Sequence, residues 1–68
     1  MKTVDARGLS CPEPVIMTRQ AMQSNESSYE ILVDNAASRE NVTRFAEYRG
    51  YKVNVTERDG EFRIEAKK

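Results

Sequence analysis

The 68-residue chain has no histidine, no tryptophan and only one cysteine. Without histidine, a single chain cannot build a Ser-His-Asp triad or a Cys-His pair. One cysteine and no histidine also cannot make the usual zinc site, so we expect no metal and no other cofactor. A lone cysteine forms no internal disulfide, which is typical of a reducing cytosol. Any thiol chemistry must therefore depend on backbone groups, basic side chains or a partner.

The chain also has no excess of charge and no long apolar run. Its 11 basic and 11 acidic residues give a formal net charge of zero, so we expect no direct nucleic-acid binding. No segment looks like a cleavable leader or a membrane span, and we expect a cytoplasmic protein that does not bind membranes. A chain this short buries only about 60% of its unfolded surface, which predicts one thin two-layer domain over residues 1–68.

Hydrophobic periodicity predicts the element order β-α-β-α-β-β. Four strands are predicted, over residues 2–6, 29–33, 51–56 and 62–66. The first helix is predicted over residues 12–24. The second helix is predicted to begin at a cap, either at residues 34–35 or at residue 38, and to end at residue 49. Gly50 is placed to end the second helix, and Asp59-Gly60 is a strong hairpin signal. Strands separated by helices favour parallel pairing, whereas a hairpin is antiparallel, so we expect a four-stranded mixed sheet.

Alternation in the last two strands leaves one sheet face polar, so both helices are predicted to cover the other face. The expected fold class is therefore α/β (α+β), a two-layer sandwich. Ile31-Leu32-Val33 has the composition of a strand buried on both faces or nearly so. The helix positions predicted to face inward are Val15, Thr18, Ala21 and Met22 in the first helix and Val42, Phe45 and Ala46 in the second.

The lone cysteine lies in the segment Ser10-Cys11-Pro12-Glu13-Pro14, just ahead of the first helix. Pro12 suits the first helical position, because its missing N–H would have no intrahelical partner. Cys11 is then the expected N-cap, with its sulfur accepting from the Glu13 amide and facing the positive end of the helix dipole. These surroundings favour the thiolate, which is the nucleophilic form of the side chain.

Pro14 occupies the position that a second cysteine holds in a C-x-x-C oxidoreductase. A persulfide on Cys11 would therefore have no resolving thiol in the same chain and would persist until an acceptor arrived. Pro12 and Pro14 stiffen the turn and fix where the sulfur points, and Gly8 frees the preceding loop for a tight approach of the backbone. We assign these residues, with Glu13, to positioning of the thiol.

Side chains near the thiol are candidates for docking a partner protein. Glu13 either stabilises the start of the helix or grips a basic residue of a partner. Arg7 and Arg19 either offset that carboxylate and meet an acidic partner or are ordinary surface charges. Ile16 and Met17 cannot both lie on the buried stripe, so one of them is expected to be an exposed contact, with ordinary packing as the alternative.

The block Asp5-Ala6-Arg7-Gly8-Leu9-Ser10-Cys11-Pro12-Glu13-Pro14-Val15 resembles the signature of the TusA-like sulfur carriers, the SirA/YedF group. In that family a C-P-x-P cysteine opens the first helix of a β-α-β-α-β-β two-layer sandwich. The segments Val33-Asp34-Asn35-Ala36, Glu40-Asn41-Val42-Thr43-Arg44-Phe45-Ala46 and Gly50-Tyr51 are similar to the YedF branch. That branch often carries a second, DsrE-like domain, which we expect to be absent from residues 1–68.

The resemblance implies that Cys11 carries sulfur as a persulfide, and only Cys11, Pro12 and Pro14 carry over from the family motif. It implies a cysteine desulfurase as the sulfur donor and a DsrE-like or other protein as the acceptor. The destination is transfer RNA thiolation in the TusA branch, and the YedF branch is linked to selenium metabolism. The chain is then a sulfurtransferase-type carrier without independent turnover.

Two other functions stay open at this point. The chain is alternatively a non-catalytic interaction or regulatory module in which Cys11 is incidental. A thiol oxidoreductase that uses glutathione as the resolving thiol is a further possibility, although Pro14 replaces its resolving cysteine.

Overall fold

The structure is a computed structural model that describes residues Met1–Lys68. Its elements are β1 (Lys2–Asp5), α1 (Glu13–Met22), β2 (Ser28–Val33), α2 (Ala36–Tyr48), β3 (Lys52–Arg58) and β4 (Glu61–Lys67). The predicted order β-α-β-α-β-β is confirmed, and the differences lie at the ends of elements. The first helix begins one residue later and ends two residues earlier than predicted.

The four strands form one mixed sheet in the order β1-β2-β4-β3. Strand β1 pairs parallel to β2, with Val4 opposite Ile31. Strand β4 is antiparallel to both β2 and β3, and Ile64 lies opposite both Ile31 and Val55. The mixed sheet is confirmed, with the two most apolar strands, β2 and β4, at its centre.

The hydrophobic core lies on one face of this sheet. Along β2 and β4, buried and less buried residues alternate, so each strand sends one set of side chains into the core. Leu32 faces the other way and is half-buried, so Ile31-Leu32-Val33 is buried on the core face and partly covered on the other. The core residues are Val4, Ala6, Ala21, Met22, Tyr29, Ile31, Val33, Val42, Ala46, Tyr51, Phe62, Ile64 and Ala66, with Phe45 half-buried against them.

Helix α1 buries Pro14, Thr18, Ala21 and Met22. These residues are spaced i, i+4, i+7 and i+8, which is one face of a helix. Pro14 takes the inner position that was predicted for Val15, which is half-buried at the edge of the core. The buried Thr18 hydroxyl donates to the Pro14 carbonyl at 2.8 Å, so its polar group is satisfied.

Helix α2 begins at the N-cap residue Asn35, whose side-chain oxygen accepts from the Ser38 amide at 2.8 Å. Of the two predicted caps, Asn35 is therefore the observed one. The helix ends at Tyr48, and Gly50, which follows the C-cap Arg49, has a φ of +90°. The Gly50 amide donates to the Glu47 carbonyl and the Tyr51 amide to the Ala46 carbonyl, as in a Schellman motif.

The hairpin between β3 and β4 is also as predicted. Asp59 and Gly60 both have positive φ angles, 54° and 79°, which is the backbone of a type I′ turn. Arg58 pairs with Glu61 across the turn, so the connection is two residues long.

Candidate functional site

Cys11 is exposed in the connection between β1 and α1, as predicted. Its predicted role as the N-cap was wrong, because the N-cap is Pro12 and no side chain caps the helix. The Glu13 amide donates to the Ser10 carbonyl at 3.0 Å, so it is not available to the sulfur. The turn is thus closed by a backbone hydrogen bond, and the amides in the first turn of α1 do not donate to Sγ.

The hydrogen-bond donor to the thiol comes from the second helix. Asn41 Nδ2 donates to Cys11 Sγ at 2.8 Å, across 30 residues of sequence. Asn41 is an exposed residue in the second turn of α2. No other hydrogen bond reaches Sγ in the described residues, 1–68.

Sequence reasoning did not assign Asn41 to the site, although a signal for it exists. Strands β1 and β2 are parallel, so both of their carboxyl ends lie at the same edge of the sheet. The helices that follow those strands start at this edge, α1 after Cys11 and α2 after Asn35. A polar residue in the first turns of α2 is therefore a candidate neighbour for the start of α1.

The loop before Cys11 is held by the two residues that follow β2. The Gly8 amide donates to Asp34 Oδ2 at 2.7 Å, and Asn35 Nδ2 donates to the Leu9 carbonyl at 3.3 Å. Asp34 and Asn35 were predicted only as helix caps. Their side chains also fix the path of the chain that leads to the thiol.

Gly8 is required for its backbone conformation. Its φ is +80°, a region that residues with a Cβ rarely adopt. A Cβ at this position would meet no atom within 4 Å, so the predicted close approach of the backbone is not the reason for glycine.

The Arg7 side chain is bound to the carboxylates of Asp5 and Glu61, at 2.8 and 3.3 Å. The Arg7 hydrogen bonds lower the pKa of Asp5 to about 2, and these carboxylates raise the pKa of the Arg7 guanidinium. Neither of these two partners is the Glu13 carboxylate that Arg7 was predicted to offset. Docking of a partner by Arg7 stays a prediction, and it requires the guanidinium to leave or share these bonds.

The remaining predicted site residues lie along α1. Glu13 is exposed at the first residue of the helix and Arg19 is exposed in its last turn. Ile16 and Met17 are both half-buried, and Met17 packs against the core. Ile16 is thus the more available apolar contact on this helix, and its role in docking stays a prediction.

The two prolines differ in their surroundings. Pro12 is exposed beside the thiol, whereas Pro14 is among the largest fully buried side chains of the protein. Burial of Pro14 anchors the turn to the core two residues after the Cys11–Pro12 bond, which is cis. The thiol therefore projects from an anchored turn.

Cys11 lies on open surface and lines none of the depressions of the molecule. The largest depression, about 730 Å³, lies by the β3–β4 hairpin and is lined by residues such as Thr56 and Phe62. The two smaller ones lie along α2 and at the β3 edge of the sheet. The thiol is thus presented to a visiting molecule and not to a ligand enclosed by this chain.

Neither helix has the length and apolar character needed to cross a membrane.

Comparison with known proteins gives one matching family and several similar proteins. A sequence model of the family described as Sulfurtransferase TusA matches residues 2–68. A "Putative sulfur carrier protein" of Methanocaldococcus jannaschii is 41% identical over 71 residues, which cover 100% of this chain and 95% of that protein. A protein of the same name from Archaeoglobus fulgidus is 46% identical over 44 residues, or 62% of this chain and 57% of that protein. The crystal structure of the SirA-like protein of Desulfitobacterium hafniense has a TM-score of 0.89 at 37% identity, covering 98% of this chain and 96% of that one.

The fold and the exposed thiol define a small two-layer α/β protein that presents one cysteine at the start of a helix. The chain belongs to the Sulfurtransferase TusA family, and this membership supports a role as a sulfur carrier that works with donor and acceptor proteins. The predicted resemblance to TusA-like proteins and the predicted fold are confirmed. The closer likeness to the YedF branch stays a prediction.

Proposed function

We propose that the protein relays sulfur by carrying it as a persulfide on Cys11. The observation that supports this most directly is the exposed Cys11 thiol, which projects from an anchored turn outside any cavity. A protein thiol or persulfide can reach such a sulfur, whereas a buried one would be closed to it. Membership of a family with relatives named as sulfur carriers supports the same chemistry.

The proposed reaction has two exchange steps. In loading, the Cys11 thiolate attacks the outer sulfur of a persulfide on the donor; a new S–S bond forms, and the donor cysteine leaves as a thiolate. In delivery, a thiolate of the acceptor attacks the outer sulfur on Cys11, and Sγ leaves as a thiolate. No external oxidant or reductant is consumed, because the outer sulfur keeps its oxidation state.

A persulfide on Cys11 can persist because there is no second cysteine in these residues. Cys11 is the only cysteine in the 68 residues, so no thiol of the same chain can attack its persulfide. Pro14 stands where a C-x-x-C oxidoreductase has its resolving cysteine, which disfavours disulfide reduction as the activity. Release of the sulfur then depends on an acceptor that docks at this surface.

We further propose a cysteine desulfurase as the donor and a DsrE-like or other protein as the acceptor. The docking surface is proposed to comprise exposed and half-buried side chains near the thiol, with Glu13, Arg7 and Ile16 nearest to it in sequence and Met17 and Arg19 further away. The end use is transfer RNA thiolation or another branch of sulfur or selenium metabolism. A reducing cytosol would keep the unpaired thiol free for this role.

Mass spectrometry tests the proposal. The protein is incubated with a cysteine desulfurase and cysteine, and its intact mass is measured before and after treatment with dithiothreitol. We expect a reversible gain of about 32 Da on Cys11, the mass of one sulfur atom, and none on Cys11→Ser. Wild-type protein that gains no mass would contradict the proposal. Unchanged partner binding and cellular phenotype in folded Cys11→Ser would favour the non-catalytic module.

A further inference from the structure

Asn41 makes a polar contact to the reacting sulfur, and the two proposed exchange steps assign it no role. Its Nδ2 group lies 2.8 Å from Cys11 Sγ, and an amide nitrogen can only donate. The partner on this bond is therefore the sulfur, as acceptor. A thiolate is a better acceptor than a neutral thiol or the inner sulfur of a persulfide, so the bond strengthens when Sγ carries charge.

Two backbone amides close to Cys11 in sequence are already bound elsewhere. The Glu13 amide is bound to the Ser10 carbonyl, and the Gly8 amide is bound to Asp34. Pro12 has no amide hydrogen. Asn41 supplies the one side-chain hydrogen bond that reaches Sγ in residues 1–68.

We propose that Asn41 promotes the delivery of sulfur from Cys11 by stabilising Sγ as the leaving group. This inference rests on the proposed persulfide chemistry and assigns to Asn41 a role at the leaving group. In delivery the S–S bond breaks and Sγ departs as a thiolate, so a hydrogen bond that stabilises the departing charge accelerates the step.

In loading the same hydrogen bond acts on Sγ as the attacking thiolate. A donor to that sulfur lowers its nucleophilicity, with a Brønsted slope of about 0.4–0.5. The two roles of Sγ therefore respond in opposite directions when the attacking form is already the thiolate. Removal of the Asn41 donor should slow delivery, and it should not slow attack by the Cys11 thiolate.

Delivery can be measured without any partner protein. Cys11 is loaded with inorganic polysulfide, the excess is removed, and cyanide is added. Cyanide attacks the outer sulfur, the S–S bond breaks, and thiocyanate and the Cys11 thiolate are formed in equal amounts. The rate of thiocyanate formation reports on Sγ as a leaving group, and the rate of alkylation of the unloaded thiol by iodoacetamide reports on Sγ as a nucleophile.

Three variants separate the roles of the side chain. Asn41→Leu removes the donor and keeps a similar volume, whereas Asn41→Asp keeps the shape and places a negative charge beside the sulfur. Asn54→Ala is the matched control, because Asn54 is an exposed residue of β3, the edge strand opposite β1 in the sheet. Thermal unfolding of each variant establishes that it is folded.

We expect thiocyanate formation to be about fivefold slower in Asn41→Leu, the effect of one exposed hydrogen bond to a charged group. The loss in Asn41→Asp should be larger, and alkylation of Asn41→Leu should not be slower than that of wild type when it is measured well above the ordinary thiol pKa of about 8.5. Asn54→Ala should match the wild-type protein in both assays.

Two results would overturn the inference. Unchanged thiocyanate formation in folded Asn41→Leu and Asn41→Asp would remove any role at the leaving group. Equal losses in both assays would mean that Asn41 only controls access to the sulfur. Loading by a desulfurase tests the proposed function separately, because the cyanide assay uses no donor protein; wild-type protein that holds no outer sulfur from polysulfide would refute both.

Discussion

Asn35 carries two structural roles whose energies can be separated by substitution. Its Oδ1 accepts from the Ser38 amide at 2.8 Å and caps α2, and its Nδ2 donates to the Leu9 carbonyl at 3.3 Å. Replacement of an asparagine N-cap by alanine costs about 1 kcal/mol. The longer bond to the loop is worth about 0.5 kcal/mol, at the low end for a partly buried neutral pair.

Asn35→Ala should therefore lower the free energy of unfolding by about 1.5 kcal/mol. In a domain of this size, that loss lowers the melting temperature by roughly 6–12 °C. Asn35→Ser keeps a capping oxygen and loses the Nδ2 bonds to the Leu9 carbonyl and to the exposed Asp34 carboxylate, so it should lower the melting temperature by roughly 2–4 °C.

Thermal unfolding followed by circular dichroism measures both variants on the same scale. Equal losses in Asn35→Ala and Asn35→Ser would refute the assignment of most of the energy to the cap. A loss below about 0.5 kcal/mol in Asn35→Ala would refute the reasoning as a whole, since neither bond would then stabilise the fold.

Two further predictions concern the ion pair of β1 and a buried hydroxyl of α2. Because Arg7 lowers the pKa of Asp5 from its ordinary 3.8 to about 2, the pair stabilises the fold above about pH 4, and this contribution is lost as the pH falls through about 2. Arg7→Gln should thus have a lower melting temperature than wild type near neutral pH, and this difference in melting temperature should disappear toward pH 2. A difference that does not depend on pH would contradict this, and Arg19→Gln is the control. Ser38 Oγ is buried without a hydrogen-bond partner, so Ser38→Ala should raise the free energy of unfolding in urea by about 1 kcal/mol, and a clear loss of stability would show that the hydroxyl is paired.

The fold was predictable because local and tertiary preferences agree in most of the chain. The alternating apolar residues of β4 mark its buried face, and Asp59-Gly60 and Gly50 adopt the positive φ angles that their residue types favour. The strand order β1-β2-β4-β3 was not predictable in this way. Alternation identifies which face of a strand is buried, and it does not identify the neighbouring strand.

The surroundings of the thiol were predicted less well, because the rule applied to them was local. A residue before a helix start is expected to accept from the first-turn amides, but here the Glu13 amide closes the turn onto the Ser10 carbonyl. The donor to Cys11 comes instead from Asn41, 30 residues further along the chain. The sulfur is thus bound by a contact between the loop before α1 and the helix α2, which the sequence of either segment alone does not contain.

This arrangement has a consequence for how such a carrier is tuned. The parallel pairing of β1 and β2 brings the starts of α1 and α2 to one edge of the sheet, and Asp34 and Asn35 then tie the loop before Cys11 to that edge. The position of the sulfur depends on this framework, whereas the hydrogen bond that reaches it comes from the exposed Asn41 side chain. Substitution of Asn41 should therefore change the rate of sulfur release without a comparable loss of stability, and substitution of Asn35 should do the reverse.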